Sequence, residues 1–269
     1  MKPDKETERA QACPAILIDG VSHRFTAPDG AAMEALTNVS LSLQEREFFA
    51  IVGPSGCGKS TLLNMVSGLL KPDEGSIRLM GDGRTLDQRD IGYITQDSNL
   101  YPWATVIENI TVPLQIRKVD KREAQERALE WIKLVGLSGF ENHYPKQLSG
   151  GMQKRCAIAR TLVYEPELLL MDEPFGPLDA ITRATLQNTI LELWQQRQTS
   201  VMFITHDLTE AVTLADRVAV MSSRPGRIRA VIDVGLDRPR DVHNITSAPQ
   251  FRSLRQALWH LLEPELEPH

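Results

Sequence analysis

The run Gly53-Pro54-Ser55-Gly56-Cys57-Gly58-Lys59-Ser60 decides the fold. Its spacing, G-x-x-x-x-G-K-[ST], is that of a phosphate-binding loop. Glycines let the backbone fold tightly around phosphate oxygens and turn N–H groups inward. Lys59 can reach the outer phosphates, and the Ser60 hydroxyl can ligate Mg²⁺. Thr61 follows on the same turn. Before the loop, Phe48-Phe49-Ala50-Ile51-Val52 reads as a buried strand; after it, Ser60 to Leu70 reads as an apolar helix. That helix would aim its positive N-terminal end at the phosphates.

The surrounding 269 residues suffice for one large α/β domain, or a core with a subdomain. With 42% hydrophobic and 24% charged residues, the composition is that of an ordinary soluble globular protein. A net charge of -5 argues against a nucleic-acid partner, which needs a basic face. No apolar run approaches the ~18 residues of a membrane span. Met1 to Gln11 is charged and lacks the apolar segment of a secretory signal, so a disordered tail is expected there. Cys13, Cys57 and Cys156 are scattered without metal-type spacing, as expected of reduced thiols in a cytosolic protein. Cys57 lies inside the phosphate loop, where it is either reactive or an inert small residue.

Further strands are expected over Ala15–Phe25, Leu36–Leu43, Ser76–Met80 and Ile91–Thr95. Asp120-Lys121-Arg122-Glu123 reads as a capping box for a helix that ends at Gly136. Another helix should start at Ser149 and run through Leu162. Leu168-Leu169-Leu170-Met171 and Val201-Met202-Phe203-Ile204 are continuous apolar runs, as in parallel strands buried on both faces. Helices over Ile181–Gln196 and Leu208–Ala215, a strand at Val218–Met221 and an edge strand at Arg227–Val234 complete the core.

Two more constellations carry chemistry. Asp172-Glu173 ends the first of those apolar runs, placing carboxylates beside the phosphate loop. Asp172 can hold Mg²⁺ through water, and Glu173 can deprotonate an attacking water. Leu148-Ser149-Gly150-Gly151-Met152 opens a helix with a cap and two glycines, an anion-binding end. A second such end beside a single phosphate loop makes sense if it serves the nucleotide of another subunit.

The ordered set Gly53–Ser60, Gln96, Leu148–Met152, Leu168–Glu173, Pro177-Leu178-Asp179 and His206 resembles the ABC-type ATPase domain of membrane transporters. The resemblance spans about Ala15 to Val234. It implies an α/β fold: a P-loop NTPase core with a mixed sheet, an antiparallel β subdomain and a helical signature subdomain. By the same resemblance the cofactors are ATP and Mg²⁺. Phe25 would stack on adenine, Gln96 would sense Mg²⁺ and the membrane partner, Asp179 would lie at a dimer contact, and His206 would contact the γ-phosphate. The expected layout is a disordered tail over 1–14, the ATPase domain over 15–235 with a helical subdomain about 97–165, and a short C-terminal tail with a helix over 236–269. Two positions depart from the family: Met152 stands where Gln is usual, and Pro177 where Ala is common. Met cannot make the amide's hydrogen bonds, yet Ser149, Gly150 and Gly151 remain, so activity should survive.

Leu100-Tyr101-Pro102-Trp103, Leu148-Ser149-Gly150-Gly151-Met152, Asp172-Glu173-Pro174-Phe175-Gly176 and Ser223-Arg224-Pro225-Gly226-Arg227-Ile228 give a narrower resemblance, to nitrate/sulfonate/taurine-type importer ATPases. It implies a homodimer docked on permease subunits near Gln96 to Trp103, served indirectly by a solute-binding protein. The subunit would be peripheral, at the cytoplasmic face of the inner membrane. An exporter or lipid-trafficking ATPase, and a soluble non-transport ABC ATPase, stay open as alternatives.

Overall fold

Alternation along five-residue strands explains how the chain covers both faces of one sheet. A computed structural model describes residues 14–26, 32–81, 83–197, 199–242 and 244–266. Of the tail expected over residues 1–14, residues 1–13, with Cys13, lie outside them, while Pro14 already opens a strand. In chain order the elements are β1 (Pro14–Thr26), β2 (Ala32–Gln44), β3 (Phe48–Val52), α1 (Lys59–Val66), β4 (Glu74–Gly81), β5 (Arg84–Thr85), β6 (Ile91–Ile94), α2 (Val106–Ile116), α3 (Lys121–Leu134), α4 (Gly150–Leu162), β7 (Leu168–Asp172), α5 (Ala180–Arg197), β8 (Ser200–Ile204), α6 (Leu208–Leu214), β9 (Arg217–Met221), β10 (Ile228–Asp233) and α7 (Pro249–Leu266).

The central sheet has the order β10-β9-β3-β8-β7-β6. Its inner strands run parallel, and β10 closes the edge antiparallel to β9. Successive side chains point to opposite faces. Phe48, Ala50, Met171, Phe203 and Val220 therefore face a core built with helices α2 to α7. Phe49, Ile51, Leu170, Met202 and Met221 face a second core, shared with α1 and the antiparallel sheet β2-β1-β4-β5. This two-sided burial is why these strands read as unbroken apolar runs.

Helices α2, α3 and α4 fill the connection between β6 and β7. Asp120 caps α3 by accepting from the Arg122 and Glu123 N–H groups. The expected capping box is only half formed, because the Glu123 carboxylate turns to Arg127. The full box belongs to α2, which the sequence reading missed: Thr105 accepts from the Glu108 N–H, and Glu108 accepts from the Thr105 N–H. Pro113 lies inside this helix. Helix α1 stops at Val66 and not at Leu70, because the Leu69 and Leu70 N–H groups both fold back onto the Asn64 carbonyl.

Helix α7 is docked. Phe251, Leu258 and Leu262 are buried in the helical-side core. Each such side chain contributes about 1.5–3 kcal/mol to holding the helix on the core. Among the described residues, no helix is long and apolar enough to cross a membrane.

Candidate functional site

Strand β3 delivers the chain to the phosphate loop, and α1 leaves from it. Gly58, the N-cap, has φ +99° and no side-chain cap, so the first-turn N–H groups stay available to an anion. A Cβ at Gly58 would come within 2.6 Å of Leu36 and 2.9 Å of the Ala35 carbonyl. Glycine is required there by both φ and space. Lys59 is 6% exposed, and its ammonium donates to the Gly53 carbonyl at 2.8 Å and the Pro54 carbonyl at 2.7 Å. It is poised on the loop that it would leave, in part, to meet a phosphate. The Cys57 sulfur lies 3.8 Å from the same ammonium and is buried. Burial pushes its thiol pKa up despite Lys59, which favours the inert reading of Cys57.

The acidic side comes from the end of β7. Asp172 is 5% exposed. Burial pushes its carboxyl up, opposed by a hydrogen bond from Ser60 and by the charges of Lys59 and Lys154. Glu173 has φ +44°, a strained conformation for a residue with a side chain. Its N–H donates to the Ile204 carbonyl at 3.0 Å, which ties the bend to β8. His206, just beyond β8, is exposed, and its Nδ1 lies 3.2 Å from Glu173 Oε1. Parallel strands thus end on the same side and bring the two residues together.

Lys59, Glu173 and His206 border one cavity of about 460 Å³, lined also by Phe25, Met33, Ala35, Ser55, Gly56, Gly58, Ser60, Thr61, Gln96 and Arg224; Gly53, Pro54, Cys57 and Asp172 are not part of that lining. Phe25 is half exposed on this rim and meets His23 edge-on at 4.7 Å. Gln96 is exposed at the opposite side. Arg224 was quoted in the sequence only as part of a motif; here it donates to the Gly56 carbonyl through Nε (3.2 Å) and Nη2 (3.0 Å).

Ser149, Gly150, Gly151 and Asp179 are not among the residues lining that cavity. Ser149 caps α4 by accepting from the Met152 N–H, and both Ser149 and Gly150 are exposed. The Asp179 carboxylate is held below its ordinary pKa by hydrogen bonds from the Thr182 side chain and from the Thr182 and Ile181 N–H groups. Met152 is partly buried against the helical-side core, which gives an apolar side chain a role at that position. The Pro177 carbonyl is among the nearest neighbours of Gly151, and Pro177 lines a second cavity with Gln96, Gly150 and Glu173.

Three residues escaped the sequence reading. Lys154, fully buried on α4, donates to the Thr95 (2.6 Å) and Gln96 (2.8 Å) carbonyls. Burial pushes its pKa down to about 8, against the pull of Asp172, Asp97 and Glu173. Arg160, two turns further on, donates to the Asn99 and Ser98 carbonyls. Asn109, fully buried on α2, exchanges hydrogen bonds with the Tyr101 backbone and also donates to the Ala104 carbonyl. Together they fix the 95–104 segment, which presents Trp103 at 75% exposure beside Tyr101.

Comparison with known proteins gives one consistent answer. The family model described as ABC transporter matches residues 36–176. An uncharacterised ABC transporter ATP-binding protein of Methanocaldococcus jannaschii is 46% identical over 265 residues, covering 98% of this chain and 97% of its own. An aliphatic sulfonates import ATP-binding protein of Bacillus cereus is 40% identical over 248 residues, 92% of this chain and 96% of its own. A taurine import ATP-binding protein of Rhizobium johnstonii is 43% identical over 251 residues, 91% and 95%. A solved dimeric ATP-binding cassette in a post-hydrolysis state, bound to ADP and Pi, superposes with a TM-score of 0.75 at 33% identity, covering 82% of this chain and 100% of that one.

Proposed function

The chain belongs to the ABC transporter family, and from that premise we propose that this ATPase energises the import of a small anionic nutrient, a sulfonate, taurine or nitrate. The observation that supports the catalytic part is the junction of Lys59, Ser60, Glu173 and His206 around one cavity. The import direction and solute class rest on the sulfonate and taurine import relatives.

Lys59 and the first-turn N–H groups of α1 would bind the phosphates, and Phe25 the adenine. The site's oxygen donors suit Mg²⁺: the Ser60 hydroxyl bonds to Asp172, a buried carboxylate, and Gln96 borders the cavity that Ser60 lines. Ser60, Asp172 and Gln96 would hold the ion, which when bound neutralises charge on the phosphates. Glu173 accepts the proton of the attacking water, and His206, 3.2 Å from it, would sit against the γ-phosphate. Ser149, Gly150 and Gly151 lie outside this cavity and are exposed or partly exposed, so they would complete the nucleotide site of a second copy. Two copies would then close on two ATP molecules, with ATP favouring the closed form and hydrolysis releasing it.

Permease subunits would dock on the segment from Gln96 to Trp103, which Lys154, Arg160 and Asn109 hold in place. The subunit would thus sit on the cytoplasmic face of the inner membrane, with a solute-binding protein supplying the permease from the other side. No residue of this chain need touch the solute. Deleting the gene and supplying single sulfur or nitrogen sources tests the reading. A growth defect confined to one such anion is expected. Normal growth on all of them, with a defect in lipid export, would replace it with the exporter reading.

A further inference from the structure

The turn after β9 is built into the phosphate loop. Arg224 donates twice to the Gly56 carbonyl and once to the Met33 sulfur. Next to it, Gly226 is so close to the loop that a Cβ there would come within 2.0 Å of the Cys57 carbonyl. The Gly226 N–H donates to the Ala35 carbonyl, and its own carbonyl accepts from the Thr37 N–H. Ser222 ties the turn to itself, accepting from the Arg227 N–H and donating to the Pro225 carbonyl.

The other side of the turn is held by the C-terminal helix. Glu265, buried near the end of α7, accepts from the Ser223 N–H at 2.7 Å and the Ser223 hydroxyl at 3.0 Å. Its second oxygen pairs with Arg229 of β10 at 2.8 Å. The path from α7 to the phosphate loop is therefore Glu265, Ser223, Arg224, Gly56, with each step a hydrogen bond or a peptide bond.

We propose that Arg224 is a positioning residue for ATP binding and that Glu265 positions Arg224, so that the C-terminal helix is part of the nucleotide site. A peptide unit is planar and rigid. Holding the Gly56 carbonyl fixes the plane of the Gly56–Cys57 peptide and, through it, the course of the backbone into Gly58 and Lys59. Without this brace the loop must be ordered at the moment of binding, and the cost falls on affinity. The chemical step, carried by Glu173 and His206 across the cavity, does not depend on it.

The inference rests on the ATP site of the family, so its test separates the two. ATP affinity, KM and kcat are measured on the full chain for the parent, Arg224→Ala, Arg224→Lys, Glu265→Ala, the Arg224→Ala/Glu265→Ala double variant and Arg229→Ala. Arg224→Ala should raise Kd and KM for ATP by about tenfold, the scale of one hydrogen bond to a charged group, with kcat within about twofold. Arg224→Lys should restore most of the affinity, because an ammonium can still donate to the Gly56 carbonyl. Glu265→Ala should raise KM in the same direction, and the double variant should be no worse than Arg224→Ala. Arg229→Ala removes another partner of Glu265; it should lower the melting temperature and leave KM alone. A parental KM in Arg224→Ala would overturn the proposal. So would an Arg224→Ala effect with none in Glu265→Ala, which would mean direct contact of Arg224 with nucleotide, or multiplied effects in the double variant. A parent that bound no ATP would sink the functional reading as well.

Discussion

Lys59→Ala perturbs both the empty site and the loaded one, and the structure sets a size for each. In the structure Lys59 is 6% exposed and its ammonium donates to the Gly53 and Pro54 carbonyls. A hydrogen bond to a charged group contributes about 1.5–3 kcal/mol net. Two are lost, but the cost of burying an ammonium is recovered, so the net loss should be ~2 kcal/mol. For a chain of this size that lowers Tm by about 4–8 °C. Nucleotide at 100 times its Kd stabilises the parent by ~2.7 kcal/mol, or about 5–10 °C. If the variant binds about 100-fold more weakly, the same concentration stabilises it by only ~0.4 kcal/mol, about 1 °C. Thermal melts with and without ATP read both numbers. A variant with the parental Tm and a parental ATP shift would refute the assignment of Lys59.

Glu210 gives a pH signature beside the site. It is buried, accepts from the Thr205 hydroxyl at 2.6 Å and from the Gln187 amide at 3.2 Å, and burial pushes its pKa up to about 7. A raised carboxyl pKa adds stability that is full below the ordinary value near 4.5 and lost as pH rises through about 7. Glu210→Gln should therefore gain on the parent, by up to ~3 kcal/mol, between pH 4.5 and pH 8; parallel melting profiles would contradict the burial argument. Trp103→Glu should leave the isolated protein folded and weaken its recovery in the membrane fraction when permease is co-expressed. Equal recovery of parent and variant would place the docking surface elsewhere.

Much of this was legible because it is local. The phosphate loop, the buried strands β3, β7 and β8 and the Ser149 cap of α4 are each set by a few consecutive residues. Helix α2 was missed, although Thr105 and Glu108 carried a capping signal. Lys154 sits in a polar-looking stretch of α4, and nothing near it in sequence shows that its partners are the carbonyls of residues 95 and 96. Arg224 and Gly56 are 168 positions apart, so only the sheet order brings them together. Helix α7 has a readable apolar stripe at Phe251, Leu258 and Leu262, but the core that receives it comes from elements far back in the chain.

The central claim is that one copy holds half of each ATP site and a second copy completes it. Glu173→Gln should bind ATP yet hydrolyse it at least ~10²-fold more slowly than the parent, which makes the closed form long-lived. Its molar mass in solution, measured by light scattering with and without ATP, tests the claim most directly. The account predicts that ATP doubles the mass, and that adding Ser149→Arg, a bulky cation at the exposed end of α4, abolishes the doubling. A Glu173→Gln protein that stays monomeric at saturating ATP, or whose dimer tolerates Ser149→Arg, would contradict it.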